Sequence, residues 1–468
     1  IINKGVVAIL NDNTLIINEL SELLSGGQKL AYVRSFGCQL NVSDGEKIKG
    51  VLKKIGYSFT DNENEADLII LNTCAVRESA EDRVFGIIGS MKKLKELKPS
   101  LIIGVAGCMT AQSHIAEKIK RSYPQVELVV GTSAINALPK LLLEVLHGRK
   151  FAADIAEYDD FSAEVEQVRE SPFKASVPIM FGCNNFCTYC IVPHVRGRER
   201  SRRPEDIISE VEGLVRSGYK EIMLLGQNVN SYGNDLDDTI SFPQLLRSLN
   251  DIEGDFIIRF MSSHPKDASR ELIDTIFACD KVAKHLHLPV QSGSSDVLRR
   301  MNRRYTAEKY LETVDYIYSI DPDFSLTTDL IVGFPDETNE DFQATLDIIK
   351  RVRYDNIYSF IYSKRSGTKA AEMPDPVTDE EKGLRMHKLL EVQREISTEH
   401  YKRFIGRTMR VLADDVSKKK QGFLTGKSNE FIIVEFEGDP SLIGQFVDVE
   451  ITDAMNWAVT GRIKKGNA

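Results

Sequence analysis

The 468-residue chain has no apolar run near the roughly 18 residues a membrane-crossing helix needs, so no transmembrane segment is expected. Its first residues, IINKGVVAILNDN, lack a basic region, a sustained apolar core and a small-residue cleavage site. No secretory signal is therefore expected, and the predicted location is cytoplasmic. The first residue is not Met, which points to residues upstream of Ile1. Neither a phosphate-cradling P-loop nor a serine-hydrolase elbow occurs. No charge of one sign dominates either: 60 Lys+Arg against 69 Asp+Glu leave −9. That balance rules out a surface that is everywhere a nucleic-acid footprint, while leaving room for a local basic patch. Cysteine is sparse and odd in number, 7 in all. Without a signal this disfavours a disulfide framework and favours free thiols, metal ligands or redox groups. What is abundant is ordinary, 42% hydrophobic and 28% charged residues, and the length predicts about three globular domains.

From residue 29 one arrangement repeats: an apolar strand-like run, a Cys at its end, then a helix-like stretch. The runs are KLAYVRSFG before Cys38, ADLIILNT before Cys74 and LIIGVAG before Cys108. These cysteines are 36 and 34 residues apart, close to the length of one strand-helix-strand unit. Right-handed crossovers make such strands parallel neighbours, with their carboxyl ends along one edge, where open sheets place ligands. Three thiols are thus expected to converge. Asp154 to Glu170 then holds seven acids (Asp154, Glu157, Asp159, Asp160, Glu164, Glu166, Glu170) and one base, Arg169, before Pro172, and reads as a linker.

Six more strand-like runs alternate with helical stretches between about 173 and 370: KASVPIMFG, KEIMLLGQN, DFIIRFMSS, KHLHLPVQ, DFSLTTDLIVGF and DNIYSFIYS. They predict an open (β/α)6 barrel, the segment being short for eight strands. After PDPVTDEE a helix is expected to about His400, with Leu384, Leu389, Leu390, Val392 and Ile396 as an incomplete apolar stripe. Five short runs follow, RTMRVLADDVS, KQGFLTGKS, EFIIVEFEG, QFVDVEITD and WAVTGRIK, which predict a small antiparallel barrel.

The sharpest motif is GCNNFCTYC, which spaces Cys183, Cys187 and Cys190 as Cys-x3-Cys-x2-Cys directly after a predicted strand. Three thiolates suit three corners of a cubane iron-sulfur cluster and leave the fourth iron open. His194, four residues after Cys190, keeps a structural Cys3His zinc site as the competing reading. Taken singly, Cys38, Cys74 and Cys108 each read as small buried apolar residues; their repeated place at strand ends argues for a second three-thiol ligand set. His285 and His287 share one face of a strand and read as packed or hydrogen-bonded residues, and Cys279 as a structural thiol.

Cys-x3-Cys-x-aromatic-Cys after a first barrel strand resembles the radical S-adenosylmethionine (SAM) superfamily. The motifs SFGCQLNVSDGE, LNTCAVRESAEDRVFG, AGCMTAQ and YSKRSGTKAAEM resemble its methylthiotransferase branch, over about residues 29 to 467. Asn72-Thr73-Cys74 followed by Arg77-Glu78 is most similar to the tRNA-modifying MiaB type, not the type that modifies a ribosomal protein. The resemblance implies a Rossmann-like methylthiotransferase domain at 29–150, a partial (β/α)6 TIM-type radical SAM barrel at 172–403 and a TRAM domain at 404–467. It implies two [4Fe-4S] clusters, one on Cys38, Cys74 and Cys108 and one on Cys183, Cys187 and Cys190. SAM would bind the second cluster's open iron, with Tyr189 near its adenine. Gln227, in LLGQNVN after the second barrel strand, would approach its amino group, although this motif lacks the usual acidic residue and also reads as a simple turn.

The activity implied is methylthiolation of C2 of N6-isopentenyladenosine at position 37 of tRNA. One SAM methylates sulfur at the auxiliary cluster, and a second supplies a 5'-deoxyadenosyl radical, with no side-chain acid or base. The partners implied are the tRNA anticodon stem-loop, an electron donor and a sulfur or cluster donor, with the chain acting as a monomer away from membranes. Arg196, Arg198, Arg200, Arg202 and Arg203 against Glu199 form a basic run suited to phosphate, as do Arg299, Arg300, Arg303 and Arg304, and Lys418, Lys419 and Lys420; each run also reads as a solvated face. The target base must leave its stack to be reached. The rival substrates are threonylcarbamoyladenosine in tRNA and a ribosomal-protein aspartate. The rival from another class is a zinc-stabilised RNA-binding protein without catalysis.

Overall fold

The computed structural model describes residues 4–75, 78–158, 167–237 and 240–464. The chain divides into two compact units. The first comprises Ile1–Glu170, Phe181–Asn184 and Cys190–Arg200; the second comprises Ser171–Met180, Asn185–Tyr189 and Ser201–Ala468.

In the first unit, β1 (Lys29–Ser35), β2 (Tyr57–Phe59), β3 (Leu68–Thr73), β4 (Ile102–Gly107), β5 (Leu128–Val130) and β6 (Ala152–Asp154) form one six-stranded sheet in the order β2-β1-β3-β4-β5-β6. Every pairing is parallel. The three cysteine-bearing strands β1, β3 and β4 are adjacent, as the repeat predicted. Strands β3 and β4 are buried along their whole length, which is why LIILNT and IIGVAG show no polar alternation. Side chains alternate between two cores. Leu68 and Ile70 pack with α1 (Lys4–Leu24), α2 (Gln39–Ile55) and α5 (Leu138–Leu146) through Leu20, Leu52 and Leu142. Ile69 and Leu71 pack on the other face with α3 (Glu78–Leu97) and α4 (Ser113–Ser122) through Ile88 and Ile119. Gly56 closes α2 in the left-handed conformation, its N–H reaching the Leu52 and Lys53 carbonyls. The end of the acidic segment is tied back to α2: Val168 N–H donates to Glu46 O at 3.1 Å, Glu170 N–H to Glu46 Oε1 at 3.0 Å, and Lys49 pairs with Glu170 at 2.9 Å. Asp159, Asp160, Glu164 and Glu166, like Arg77, lie outside the described residues.

Two short strands, β8 (Met180–Phe181) and β9 (Arg200–Ser201), bracket the loop of the second cysteine motif and α6 (Val192–Val195). In the second unit β7 (Lys174–Pro178), β10 (Glu221–Leu225) and β11 (Ile257–Phe260) form one parallel arc, and β12 (His285–His287), β13 (Ser325–Val332) and β14 (Asn356–Ile361) another. A parallel bridge runs from Ile258 in β11 to Val282, just before β12, while no pairing links β7 to β14 among the described residues. The result is the open six-stranded barrel expected. Around it lie α7 (Pro204–Arg216), α8 (Phe242–Asn250), α9 (Arg270–Ala278), α10 (Ser295–Arg300), α11 (Ala307–Ile320), α12 (Asn339–Val352) and α13 (Asp379–His400). Hydroxyl N-caps at Ser241, Ser269, Ser294, Thr306, Thr338 and Thr378 set the starts of six helices. On α13 only part of the expected stripe faces the core: Leu389, Val392 and Ile396 are buried, whereas Leu384 and Leu390 are exposed.

Strands β15 (Thr408–Val416), β16 (Phe423–Ser428), β17 (Ile433–Glu437), β18 (Phe446–Ala454) and β19 (Val459–Ile463) close into a barrel in the order β15-β16-β17-β19-β18. Four of its pairings are antiparallel, but β17 and β19 run parallel, so the barrel is not antiparallel throughout. It docks on the larger barrel through Arg259, a buried side chain that donates to Glu221 at 2.7 Å and to the Ser428 carbonyl at 2.7 Å. Phe431, at φ 66°, stacks on His285 at 4.8 Å between centroids. His285 and His287 each hydrogen-bond Thr327 Oγ1, at 2.8 and 2.9 Å. Cys279 caps α9 as a buried free thiol. No helix among the described residues is long and apolar enough to cross a membrane.

Candidate functional site

Cys38 stands at the N-cap of α2, Cys74 directly after β3, and Cys108 directly after β4. Two glycines allow these loops to close on each other. Gly37, at φ 100°, would carry a Cβ only 2.4 Å from Cys74 Cβ and 2.7 Å from its Sγ. At Gly107, also at φ 100°, a Cβ would fall 2.4 Å from the Thr73 carbonyl. Asn41 then laces the strand ends together: its Nδ2 donates to Phe36 O at 2.9 Å and Thr73 O at 2.8 Å.

Arg196 completes this network. Its guanidinium is buried and donates to Asp44 Oδ2 at 2.7 Å, Asn41 Oδ1 at 2.8 Å and Cys108 Sγ at 3.2 Å. Burial works against its charge, but Asp44 above all, then Cys108 and Cys38, outweigh that and hold it charged. The Cys108 thiol is pushed up to about 11, chiefly by burial; Arg196 opposes the rise, while Asp44, Cys74 and Cys38 add to it. Cys38 is exposed and Cys74 buried. The three thiols are thus within electrostatic reach of each other at one sheet edge.

Cys183, Cys187 and Cys190 lie in the loop between β8 and α6. Gly182, at φ 75°, is indispensable there, because a Cβ would meet the Arg198 carbonyl at 1.9 Å. Cys183 and Cys190, both half-buried, belong to the first unit, and Cys187, buried, to the second. Within the second unit Arg303 Nη1 donates to Cys187 Sγ at 3.5 Å, Nη2 to Pro289 O at 2.8 Å, and Nε to the Tyr305 hydroxyl at 3.0 Å. Thr188 bonds through its N–H to Met301 O at 3.0 Å. Tyr189 sits edge-on to Phe334 at 6.5 Å between centroids. Gln227 follows β10, and its Oε1 is sealed from solvent without a partner, as are Asn228 Oδ1 and Asn230 Oδ1. His194 is exposed.

The expected five-arginine patch is corrected. Arg196 is buried against Cys108, and Arg202 is buried with Nη1 on Pro178 O and Glu210, both at 2.8 Å. Neither side chain can meet a phosphate from there. Arg200 is half-buried and donates to Tyr158 O at 2.5 Å, which leaves Arg198 and Arg203 exposed. The second basic run divides likewise: Arg299 and Arg304 are exposed, Arg300 holds Asp341 at 3.2 Å, and Arg303 is internal. Lys418, Lys419 and Lys420 are exposed, with Lys419 over the Trp457 ring at 4.3 Å. Arg196, Asn41, Asp44 and Arg303 are site residues that sequence reading missed or misplaced. A charge run shows sign, not the direction each side chain takes.

Among the described residues no three His, Cys, Asp or Glu side chains form a ready metal cage. The donor chemistry nevertheless fits iron-sulfur ligation, since each set supplies soft sulfur and each includes a cysteine held by an N–H donor. The amide oxygens of Gln227, Asn228 and Asn230, unpartnered among the described residues, are acceptors of the kind a bound amino group requires.

The family described as "Radical SAM superfamily" matches residues 177–349, "Uncharacterized protein family UPF0004" residues 30–131, and "TRAM domain" residues 402–464. The chain is 51% identical over 451 residues, 96% of its length and 95% of the relative's, to the tRNA-2-methylthio-N(6)-dimethylallyladenosine synthase of Thermoanaerobacter pseudethanolicus. It is 49% identical to the synthase of the same name from Acetivibrio thermocellus, covering 96% of this chain and 93% of that one. Among solved structures, the radical S-adenosylmethionine methyltransferase TsrM from Kitasatospora setae superposes with a TM-score of 0.53 at 13% identity, covering 74% of this chain and 77% of the other. That likeness is one of fold.

Proposed function

This chain belongs to the tRNA-2-methylthio-N(6)-dimethylallyladenosine synthase family of radical SAM enzymes, and on that premise we propose how its own residues divide the work. The reaction is methylthiolation of C2 of N6-isopentenyladenosine at position 37 of tRNA, with SAM and two [4Fe-4S] clusters as cofactors. Residues 29–150 carry the auxiliary site, 172–403 the SAM site and 404–467 an RNA-binding barrel. Cys38, Cys74 and Cys108 hold one cluster, and Cys183, Cys187 and Cys190 the other. Bound there, these groups supply a 5'-deoxyadenosyl radical and a methylthio group, chemistry that no side chain could perform on an aromatic C–H.

The chain's task is ligation, orientation and exclusion of water. Arg196, fixed by Asp44 and Asn41, holds Cys108 in place and lends its sulfur a hydrogen bond. Arg303 does the same for Cys187. Tyr189 presents a ring face for the adenine of SAM, and Gln227, Asn228 and Asn230 offer carbonyl oxygens to its amino group. The tRNA is met by exposed cations, Arg198 and Arg203 near the cysteine loop and Lys418, Lys419 and Lys420 on the small barrel. The anticodon stem-loop presents the target base unstacked. An electron donor and a sulfur or cluster donor complete the cycle, and the chain works as a cytoplasmic monomer.

The observation that carries this reading is the presence of two three-cysteine sets in one chain that aligns along 95% of a synthase relative. The test is mass spectrometry of tRNA nucleosides after anaerobic reaction with reconstituted protein, SAM and a reductant. A mass gain of one methylthio group on N6-isopentenyladenosine is expected. Gain only on threonylcarbamoyladenosine, or only on a ribosomal protein, would overturn it.

A further inference from the structure

The chain segments after β10 and β11 are tied to each other. Val229 N–H donates to Ser262 O at 2.8 Å, Asn228 Nδ2 to Asp267 Oδ2 at 2.8 Å, and Asn230 Nδ2 to His264 O at 3.5 Å. Two polar atoms on the second segment are sealed from solvent and have no partner: Ser263 Oγ and His264 Nε2. Both residues are more than nine-tenths buried, Ser263 at 7% and His264 at 5% exposure.

The ring of His264 has a defined tautomer. Its Nδ1 accepts the Lys266 N–H at 3.2 Å, so that nitrogen must keep its lone pair. Burial first, then Arg303 and Lys266, push His264 down to about 2, so the ring is neutral at physiological pH. A neutral ring with a lone pair on Nδ1 carries its proton on Nε2. The unpartnered atom is therefore a donor. Tyr305 packs edge-on against the ring at 5.6 Å, and its hydroxyl donates to Val290 O at 2.9 Å, so the donor points in a fixed direction. A buried donor without an acceptor is costly, and nothing among the described residues relieves this one.

The surrounding charge selects the acceptor. Lys266 is offset by Asp267 at 3.6 Å. Arg303 has no carboxylate within ion-pairing distance among the described residues; its partners are Tyr305, Pro289 and Cys187. The local field is net positive, which favours an anionic acceptor over a neutral ring nitrogen. We propose that His264 binds the carboxylate of SAM through Nε2–H, with the Ser263 hydroxyl as a second donor. This rests on reading the site as a SAM site, with the amide oxygens after β10 facing the other end of the same amino acid.

The test is calorimetric titration of fully reconstituted, anaerobic protein with SAM and with decarboxylated SAM. His264→Phe keeps a planar ring and removes the donor; His264→Gln keeps an N–H. Phe should weaken SAM by about 10- to 100-fold, the loss for a hydrogen bond to a charged group. It should leave the affinity for decarboxylated SAM at the wild-type value, and Gln should recover part of the SAM loss. Equal binding of SAM by wild type and His264→Phe, equal weakening of both ligands, or a loss confined to tRNA would each overturn the proposal. A wild-type protein that bound no SAM would instead sink the underlying site assignment, so the two failures are distinct.

Discussion

Arg196 in the first unit and Arg303 in the second are both buried, and each donates to a cysteine sulfur, at 3.2 and 3.5 Å. They differ in what balances their charge. Arg196 has Asp44 at 2.7 Å, whereas Arg303 is met by a tyrosine hydroxyl and a peptide carbonyl. One thiol therefore lies beside a neutral ion pair and the other beside a cation with no carboxylate partner among the described residues. Reduction adds negative charge to a cluster, so a bare guanidinium favours it and a paired one does so far less. The site assigned to reductive cleavage of SAM is the one with the unbalanced charge.

The largest effects should come from breaking the neutral side of this comparison. Asp44→Ala leaves Arg196 buried and unpaired, which should cost about 3–5 kcal/mol in urea unfolding. The Arg259 and Glu221 pair, buried and far from any cysteine motif in sequence, is the internal control: Glu221→Gln should cost a similar amount. Burial pushes the Glu221 carboxyl up, but the charge and hydrogen bond of Arg259, with Lys174 and Lys427, together outweigh it and hold the group below its usual pKa. Its contribution is thus complete above the ordinary glutamate range and is lost as pH falls through its lowered value, so acid should weaken wild type and leave Glu221→Gln less affected. Loss of stability on raising the pH would contradict the pairing.

Next in size is Gly37→Ala, whose Cβ would collide with Cys74 while φ is positive. Iron should fall from about eight to about four per chain, the content of two cubanes and of one. Unchanged iron would show that the loop tolerates a side chain. On the charged side, Arg303→Met should make the cluster proposed at Cys187 harder to reduce, read as a lower midpoint potential by electron paramagnetic resonance titration. A potential equal to wild type would remove the contrast between the two arginines. The smallest effect should be at the surface: Arg198→Ala and Arg203→Ala should each lower the salt dependence of tRNA binding by about one unit of slope, without changing iron content.

Much of the fold was legible because it rests on pattern. The runs before Cys38, Cys74 and Cys108 became β1, β3 and β4 in adjacent parallel register, since uninterrupted apolar runs followed by helices admit few other arrangements. Strands β2, β5 and β6 were not legible: each is three residues long and too short to show a period. The parallel closure of β17 on β19 was hidden because alternation in a strand does not reveal its neighbour's direction. The cysteines stood out in the sequence as candidate ligands, but the buried arginines beside them did not. Arg196 and Arg303 sat in runs that look like solvated faces, and only the fold shows their side chains turned inward.

The division of labour between the two cysteine sets is tested most directly by assaying 5'-deoxyadenosine and methylthiolated nucleoside together for Cys108→Ala and Cys187→Ala. The expected result is that Cys187→Ala forms neither product, while Cys108→Ala still releases 5'-deoxyadenosine and forms no methylthiolated tRNA. Methylthiolated tRNA from Cys108→Ala, or 5'-deoxyadenosine from Cys187→Ala at the wild-type rate, would contradict it.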